Sequence, residues 1–126
     1  MKPVARPVYL NLLRIRLPLP GWISILHRIS GALLFLALPF GAWALSTSLA
    51  NEAGFQRVAE WAAHPLVKLA ALGLVWAFAH HFFAGVRHLA LDVHWGVDLR
   101  PARRSSVGVL LATGVVTLLA AWRLWA

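Results

Sequence analysis

The chain is 126 residues long, 60% hydrophobic and carries a formal net charge of +8, with a mean hydropathy of +0.72. That hydropathy is far above a soluble domain, and the length allows one small unit, read here as a single membrane-anchor domain over residues 1–126. There is no cysteine, which excludes disulfides, thiolate-held iron–sulfur clusters and a C-x-x-C-H haem attachment.

Residues 1–21 read as a leader. Pro3, Pro7, Pro18 and Pro20 oppose a long helix there, and the alternation from Tyr9 to Leu17 suits a short extended or interfacial segment. Three windows without charged residues follow, at 29–51, 69–86 and 105–122. Each is about the length that crosses roughly 30 Å of hydrocarbon as a helix. The pattern is long apolar blocks and not period-two alternation, which argues against a closed barrel. The expected fold is all-α, with three transmembrane helices near 22–48, 63–92 and 105–125. The basic N-terminus superficially suits a signal peptide. The first apolar run is too long for one and contains His27 and Arg28, so it reads as an uncleaved helix.

Pro39 predicts a kink in the first helix. Residues 49–61 form a loop in which 54–61 can make a short helix. Residues 93–104 form a second loop, with Gly96 and Pro101 as breakers. Gly108 and Ala112 stand at small-xxx-small spacing, a packing signal of low specificity. Trp22 and Trp43 are 21 residues apart, about 31 Å along a helix, the separation of the two aromatic belts of a bilayer. Only Trp76 falls at mid-depth.

The positive charge suggests nucleic acid at first sight, but its placement suggests a membrane. Lys2, Arg6, Arg14 and Arg16 precede the first helix, and Arg87, Arg100, Arg103 and Arg104 lie around the second loop. The first loop holds only Arg57, beside Glu52 and Glu60. Basic residues thus cluster on alternate loops, as the positive-inside rule requires. The N-terminus is expected in the cytoplasm and the C-terminus outside, in a multi-pass protein of the inner (cytoplasmic) membrane. Anionic lipid or an acidic docked partner, not nucleic acid, is the expected counter-charge.

Two polar blocks interrupt this apolar chain. The first is Ser24-Ile25-Leu26-His27-Arg28-Ile29-Ser30-Gly31, where Ser24, His27, Arg28 and Gly31 form one helical stripe. Snorkelling explains Arg28 alone but not His27, nor four polar or small residues on one face. A polar-ligand or anion site at the membrane edge explains all four. The second block is His80-His81-Phe82-Phe83-Ala84-Gly85-Val86-Arg87-His88, followed by Asp92. His81, Gly85, His88 and Asp92 share a stripe, with His80 and Arg87 about 100° round. A lone intramembrane histidine is more often a hydrogen-bonded packing residue, and His80 reads so. His81 has Gly85 one turn on, leaving room for a flat group, and an imidazole facing apolar space is a usual haem ligand. His27, Arg28 and Arg87 lie where haem propionates need cations. A proton path fits less well, because no acidic residue lies within an apolar span. A di-haem cytochrome needs opposed ligand pairs within one chain, and His64 has no such partner. Three helices enclose little, so the chain is expected to work within a larger assembly.

Together the motifs Ser24-Ile25-Leu26-His27-Arg28-Ile29-Ser30-Gly31 and His81-x-x-x-Gly85-x-Arg87-His88-x-x-x-Asp92 resemble the cytochrome b (large membrane anchor) subunits of succinate dehydrogenase, over nearly the whole chain. The resemblance implies a succinate:quinone oxidoreductase of four subunits. A flavoprotein oxidises succinate, an iron–sulfur protein carries electrons, and two membrane anchors hold haem b and reduce ubiquinone or menaquinone. It implies that His81 is an axial haem ligand and that the second anchor supplies the other. It implies further that His27, Arg28, Arg87 and His88 contact the propionates and that Ser24 and Arg28 serve the quinone site. The family often has tyrosine before the ligand; here His80 stands there as a rival ligand. A haem-free structural anchor and a fumarate reductase-type anchor oxidising quinol are the alternatives. The chain is not expected to catalyse anything alone.

Overall fold

A computed structural model describes residues 16–126; the expectations for the leader fall largely outside them. Four α-helices follow one another: α1 (Leu19–Ala50), α2 (Glu52–Ala63), α3 (Pro65–Asp92) and α4 (Leu99–Trp125). No strand occurs among the described residues. α1, α3 and α4 are long and apolar enough to cross a membrane, and they are the three expected spans.

Local chemistry sets the boundaries. α1 begins after Pro18, with Pro20 in its first turn, where the missing N–H has no intrahelical partner to lose. It continues through Pro39 to Ala50. Asn51 is extended, and its Oδ1 accepts the Gly54 N–H at 2.8 Å, an N-cap for α2. His64 repeats the device: its Nδ1 accepts the Leu66 N–H at 3.3 Å, and Pro65 opens α3. The loop expected over 49–61 is therefore almost entirely helix. After Asp92 the chain reverses through His94 (φ 61°) and Gly96 (φ 77°), with the Trp95 N–H on the Ala90 carbonyl at 2.9 Å. Positive φ costs glycine nothing and suits His94 only as an isolated residue.

One boundary departs from expectation. α4 begins at Leu99 and not near 105, because Pro101 lies in its first turn, where proline is tolerated. Pro101 is thus part of the helix and not a loop breaker.

α3 is the central helix and packs on both α1 and α4; α1 and α4 meet less. The interfaces use small side chains. α3 buries Ala77, Ala79 and Ala84, and α4 buries Ala102, Ser106, Val109 and Thr113, spaced i, i+4, i+7, i+11. Ile23, Ala84 and Val109 meet in one buried cluster with Phe83 against it. Close backbone approach of this kind drives helix association where lipid offers no hydrophobic gain. Gly108 is not part of the contact: it is exposed, and no atom of the described residues lies within 4 Å of a Cβ built there. The packing stripe runs one helical position away. At the far end Lys68 Nζ donates to the Leu124 carbonyl at 2.9 Å, tying the start of α3 to the end of α4. α2 is held to α1 by Trp43 and Trp61, 5.0 Å apart, and by Gly54, where a side chain would run into the Thr47 carbonyl.

Large apolar side chains cover the outside of the bundle; Phe35, Phe40 and Leu49 on α1 are more than 70% exposed. Such a surface belongs in lipid or against other membrane helices. The charge asymmetry predicts which end faces the cytoplasm. Gln56→Cys, on α2, should react with an impermeant maleimide in intact cells, and Val97→Cys, between α3 and α4, only after permeabilisation. The reverse pattern would invert the topology.

Candidate functional site

α1 and α3 run antiparallel, and each carries His-x-x-x-Gly: His27 and Gly31 on α1, His81 and Gly85 on α3. The antiparallel register sets each histidine over the other helix's glycine. A Cβ built on Gly31 would lie 2.8 Å from His81 Cε1, and one on Gly85 would lie 3.4 Å from His27 Nε2. The two imidazoles stack face to face, centroids 4.1 Å apart and planes 8° from parallel. His88 joins them, its ring centroid 5.1 Å from that of His27 and tilted by 58°. The room beside His81 thus comes from Gly31, whereas Gly85 makes room for His27.

Hydrogen bonds fix how His81 is presented. His81 Nδ1 lies 3.0 Å from the His27 carbonyl oxygen. A carbonyl only accepts, so Nδ1 carries the proton and the lone pair of the neutral ring sits on Nε2. Ser30, fully buried, donates from Oγ to the same carbonyl at 2.9 Å, with its oxygen 3.3 Å from Nδ1. A metal-binding histidine is commonly oriented in this way, by donating its other N–H to a carbonyl.

The stripe continues along the flank of α1. Ser24 is half-buried and Arg28 exposed, both turned from the buried Ile23–Ser30 line toward the side on which His27 and His81 stand. Asp92 is exposed at the foot of α3. Among the described residues, no three His, Asp or Glu side chains converge on a point that could hold a free metal ion. The histidines are therefore arranged by stacking and not as a chelate.

Two residues of the second block point elsewhere. His80 is fully buried, its ring nitrogens have no hydrogen-bond partner among the described residues, and it stacks on Trp76 at 5.5 Å and 18°. Trp76, the one tryptophan at mid-depth, thereby has a packing role. Arg87 makes its hydrogen bonds away from the histidine cluster. Its Nε donates to Ser105 Oγ at 3.0 Å and its Nη2 to the Ala102 carbonyl at 3.4 Å, so it faces α4. Both belong to the stripe about 100° from His81 and His88 that packs into the bundle. Reading the sequence singles out Ser24, His27, Arg28, His81, Arg87 and His88, and the structure sets His27, His81 and His88 against one another, with Gly31 against His81. Ser30 and Ser105 are missed as partners. Ser30 stands inside the first motif, three residues after His27, a spacing that allows its bond to the His27 carbonyl; nothing in the sequence marks Ser105.

The reciprocal packing predicts an asymmetry between glycines. Gly31→Val should press on the His81 ring and destabilise the folded assembly by about 1–3 kcal/mol, the usual cost of overpacking. Gly41→Val, where an added Cβ meets nothing within 4 Å, should do little. Thermal unfolding of the purified complex in one detergent measures both; equal effects would contradict the packing described.

The chain is similar to known proteins. The chain is 33% identical over 121 residues to the succinate dehydrogenase cytochrome b556 subunit of Coxiella burnetii (strain RSA 493 / Nine Mile phase I), covering 95% of this chain and 97% of that one. It is 30% identical to the subunit of that name from Paracoccus denitrificans, over 90% of this chain and 88% of that one. With the Rickettsia felis protein it shares 27% identity over 90% and 89%. Residues 2–120 match the family described as succinate dehydrogenase/fumarate reductase transmembrane subunit, and with three apolar spans and that match over nearly its full length the chain belongs to this family.

Proposed function

We propose that this chain is the haem b-binding large membrane anchor of a succinate dehydrogenase and forms part of its quinone-reduction site. The observation that carries the reading is the presentation of His81. Its Nδ1–H is held by the His27 carbonyl, and Nε2 is left for a ligand on the flank of the α1–α3 pair. The residues fit a haem: an imidazole oriented by its Nδ1–H on a carbonyl, Gly31 closely packed against it, and His27 and His88 beside it for the propionates, with Arg28 on the same flank. His81, not His80, is the ligand in this reading, since His80 is enclosed within the chain's own bundle. Arg87, bonded to α4, is left out of the propionate set.

One chain covers only one side of such a group, so a second small membrane anchor supplies the other axial ligand. When bound, haem b adds a one-electron site within the membrane. A flavoprotein and an iron–sulfur subunit complete the enzyme, docked at the basic end of the bundle in the inner membrane. Succinate dehydrogenase is named for the relatives, and the assignment to this chain rests on that similarity together with the site.

Quinone reduction places two electrons and two protons on a ring whose oxygens turn anionic. Ser24 offers a hydroxyl donor to one oxygen. Arg28, one turn on, holds a fixed positive charge near it and does not deliver the protons, because a guanidinium does not deprotonate.

Both halves of the proposal are testable in the purified complex. His81→Leu should abolish the low-spin haem b spectrum after dithionite reduction, and His80→Leu should retain it; the opposite result would make His80 the ligand. Ser24→Ala and Arg28→Leu should each lower succinate–quinone reductase activity by about 10²–10³-fold, as loss of a preorganised donor does elsewhere. Succinate oxidation by a soluble dye that accepts electrons from the iron–sulfur side should persist. If both activities fall together, the two residues serve assembly and not quinone binding.

A further inference from the structure

α3 and α4 leave a cleft of about 490 Å³ at the basic end, on a different face of α3 from the histidine stripe. Its chemistry changes along its length. Arg87, Arg104 and Trp95 stand toward the α3–α4 turn, and Val109 and Ala112 lie deeper. From Pro101 to Ala112 the cleft follows α4 for about 16 Å at a helical rise of 1.5 Å per residue. Gly108 leaves its wall open: a Cβ built there meets no atom.

Arg87 is the unusual residue. It is only 7% exposed, and both of its hydrogen bonds go to neutral acceptors, the Ser105 hydroxyl and the Ala102 carbonyl. The chain's four acidic residues are Glu52, Glu60, Asp92 and Asp98, and none is among its hydrogen-bond partners. A buried guanidinium at the membrane edge without a counter-charge is costly. The cleft beside it has room for an anion, and Arg104 adds a second positive charge to its rim. The remaining wall is apolar and opens to the bilayer. An occupant must therefore be anionic at one end and apolar over the rest. Guanidinium forks match phosphate oxygens, and an exposed tryptophan suits headgroup depth.

We propose that this cleft binds an anionic phospholipid, with its phosphate on Arg87 and Arg104 and an acyl chain along Gly108 and Ala112. Arg100 and Arg103, on the same turn of α4 and exposed, disfavour a zwitterionic headgroup by repelling its ammonium. The site is independent of the haem and quinone assignments, because it uses none of their residues.

The test uses the intact complex in nanodiscs of phosphatidylcholine with phosphatidylglycerol as the minor component, released and weighed by native mass spectrometry. The wild-type complex should retain phosphatidylglycerol out of proportion to its share of the disc. Arg104→Gln should retain one copy fewer, with occupancy about tenfold lower, as expected for loss of a charge-assisted bond. Gly108→Leu, whose Cβ meets no described atom within 4 Å and whose side chain enters the cleft, should do the same. Arg57→Gln, exposed on α2 and outside the cleft, should match the wild type. Retention of the two lipids in disc proportion would overturn the proposal, as would undiminished phosphatidylglycerol in both cleft variants. A wild-type complex with no retained lipid would overturn it too, and would mean that a partner subunit covers the cleft.

Discussion

The reciprocal seating of His27 over Gly85 and His81 over Gly31 is the contact on which the rest of the site depends. It fixes the register of α1 against α3, because a shift of one residue would put each ring against a side chain. It also fixes the ring chemistry. The helix carbonyl of His27 lies 3.0 Å from His81 Nδ1 only in this register, and that bond decides which nitrogen keeps its lone pair. Each motif needs the other. Glycine without the opposed ring would leave a gap, and histidine without the opposed glycine could not approach the partner backbone.

Around this contact the bundle separates three environments. The buried stripe holds small residues that let α3 touch both neighbours. The flank of α1 and α3 gathers imidazoles, a hydroxyl and a guanidinium that lipid alone solvates poorly. The α3–α4 cleft gathers arginines and apolar wall at the membrane edge. Polar groups inside a membrane persist when they are paired or when something else covers them. His81 and Ser30 are paired within the chain, while Ser24 and Arg28 stand on a flank suited to other subunits. A chain with three apolar spans and this much exposed apolar surface is suited to a larger bundle.

Much of this was legible in the residues because helical spacing converts directly into angle. The three spans, the stripe of Ser24, His27, Arg28 and Gly31, and the stripe of His81, Gly85 and His88 all follow from 100° per residue. What spacing does not carry is the identity of the neighbour. It placed Arg87 near His88 along the chain but could not say that the guanidinium turns to Ser105 on α4. It assigned the space beside His81 to Gly85, one turn away on the same helix, whereas the space comes from Gly31 across the interface. It took Gly108 and Ala112 for a packing pair because both are small, while the contact uses Ala102, Ser106, Val109 and Thr113. Pro101 suggests a breaker because proline usually is one, and only its place in the first turn of α4 makes it compatible with a helix.

His81 is the residue proposed here to hold iron. An experimental density map of the complete complex at side-chain resolution tests that most directly. The expected result is iron bonded to His81 Nε2, with His81 Nδ1 still on the His27 carbonyl and His80 enclosed against Trp76. Iron bonded to His80, or a His81 ring stacked on His27 with no ligand at Nε2, would contradict it.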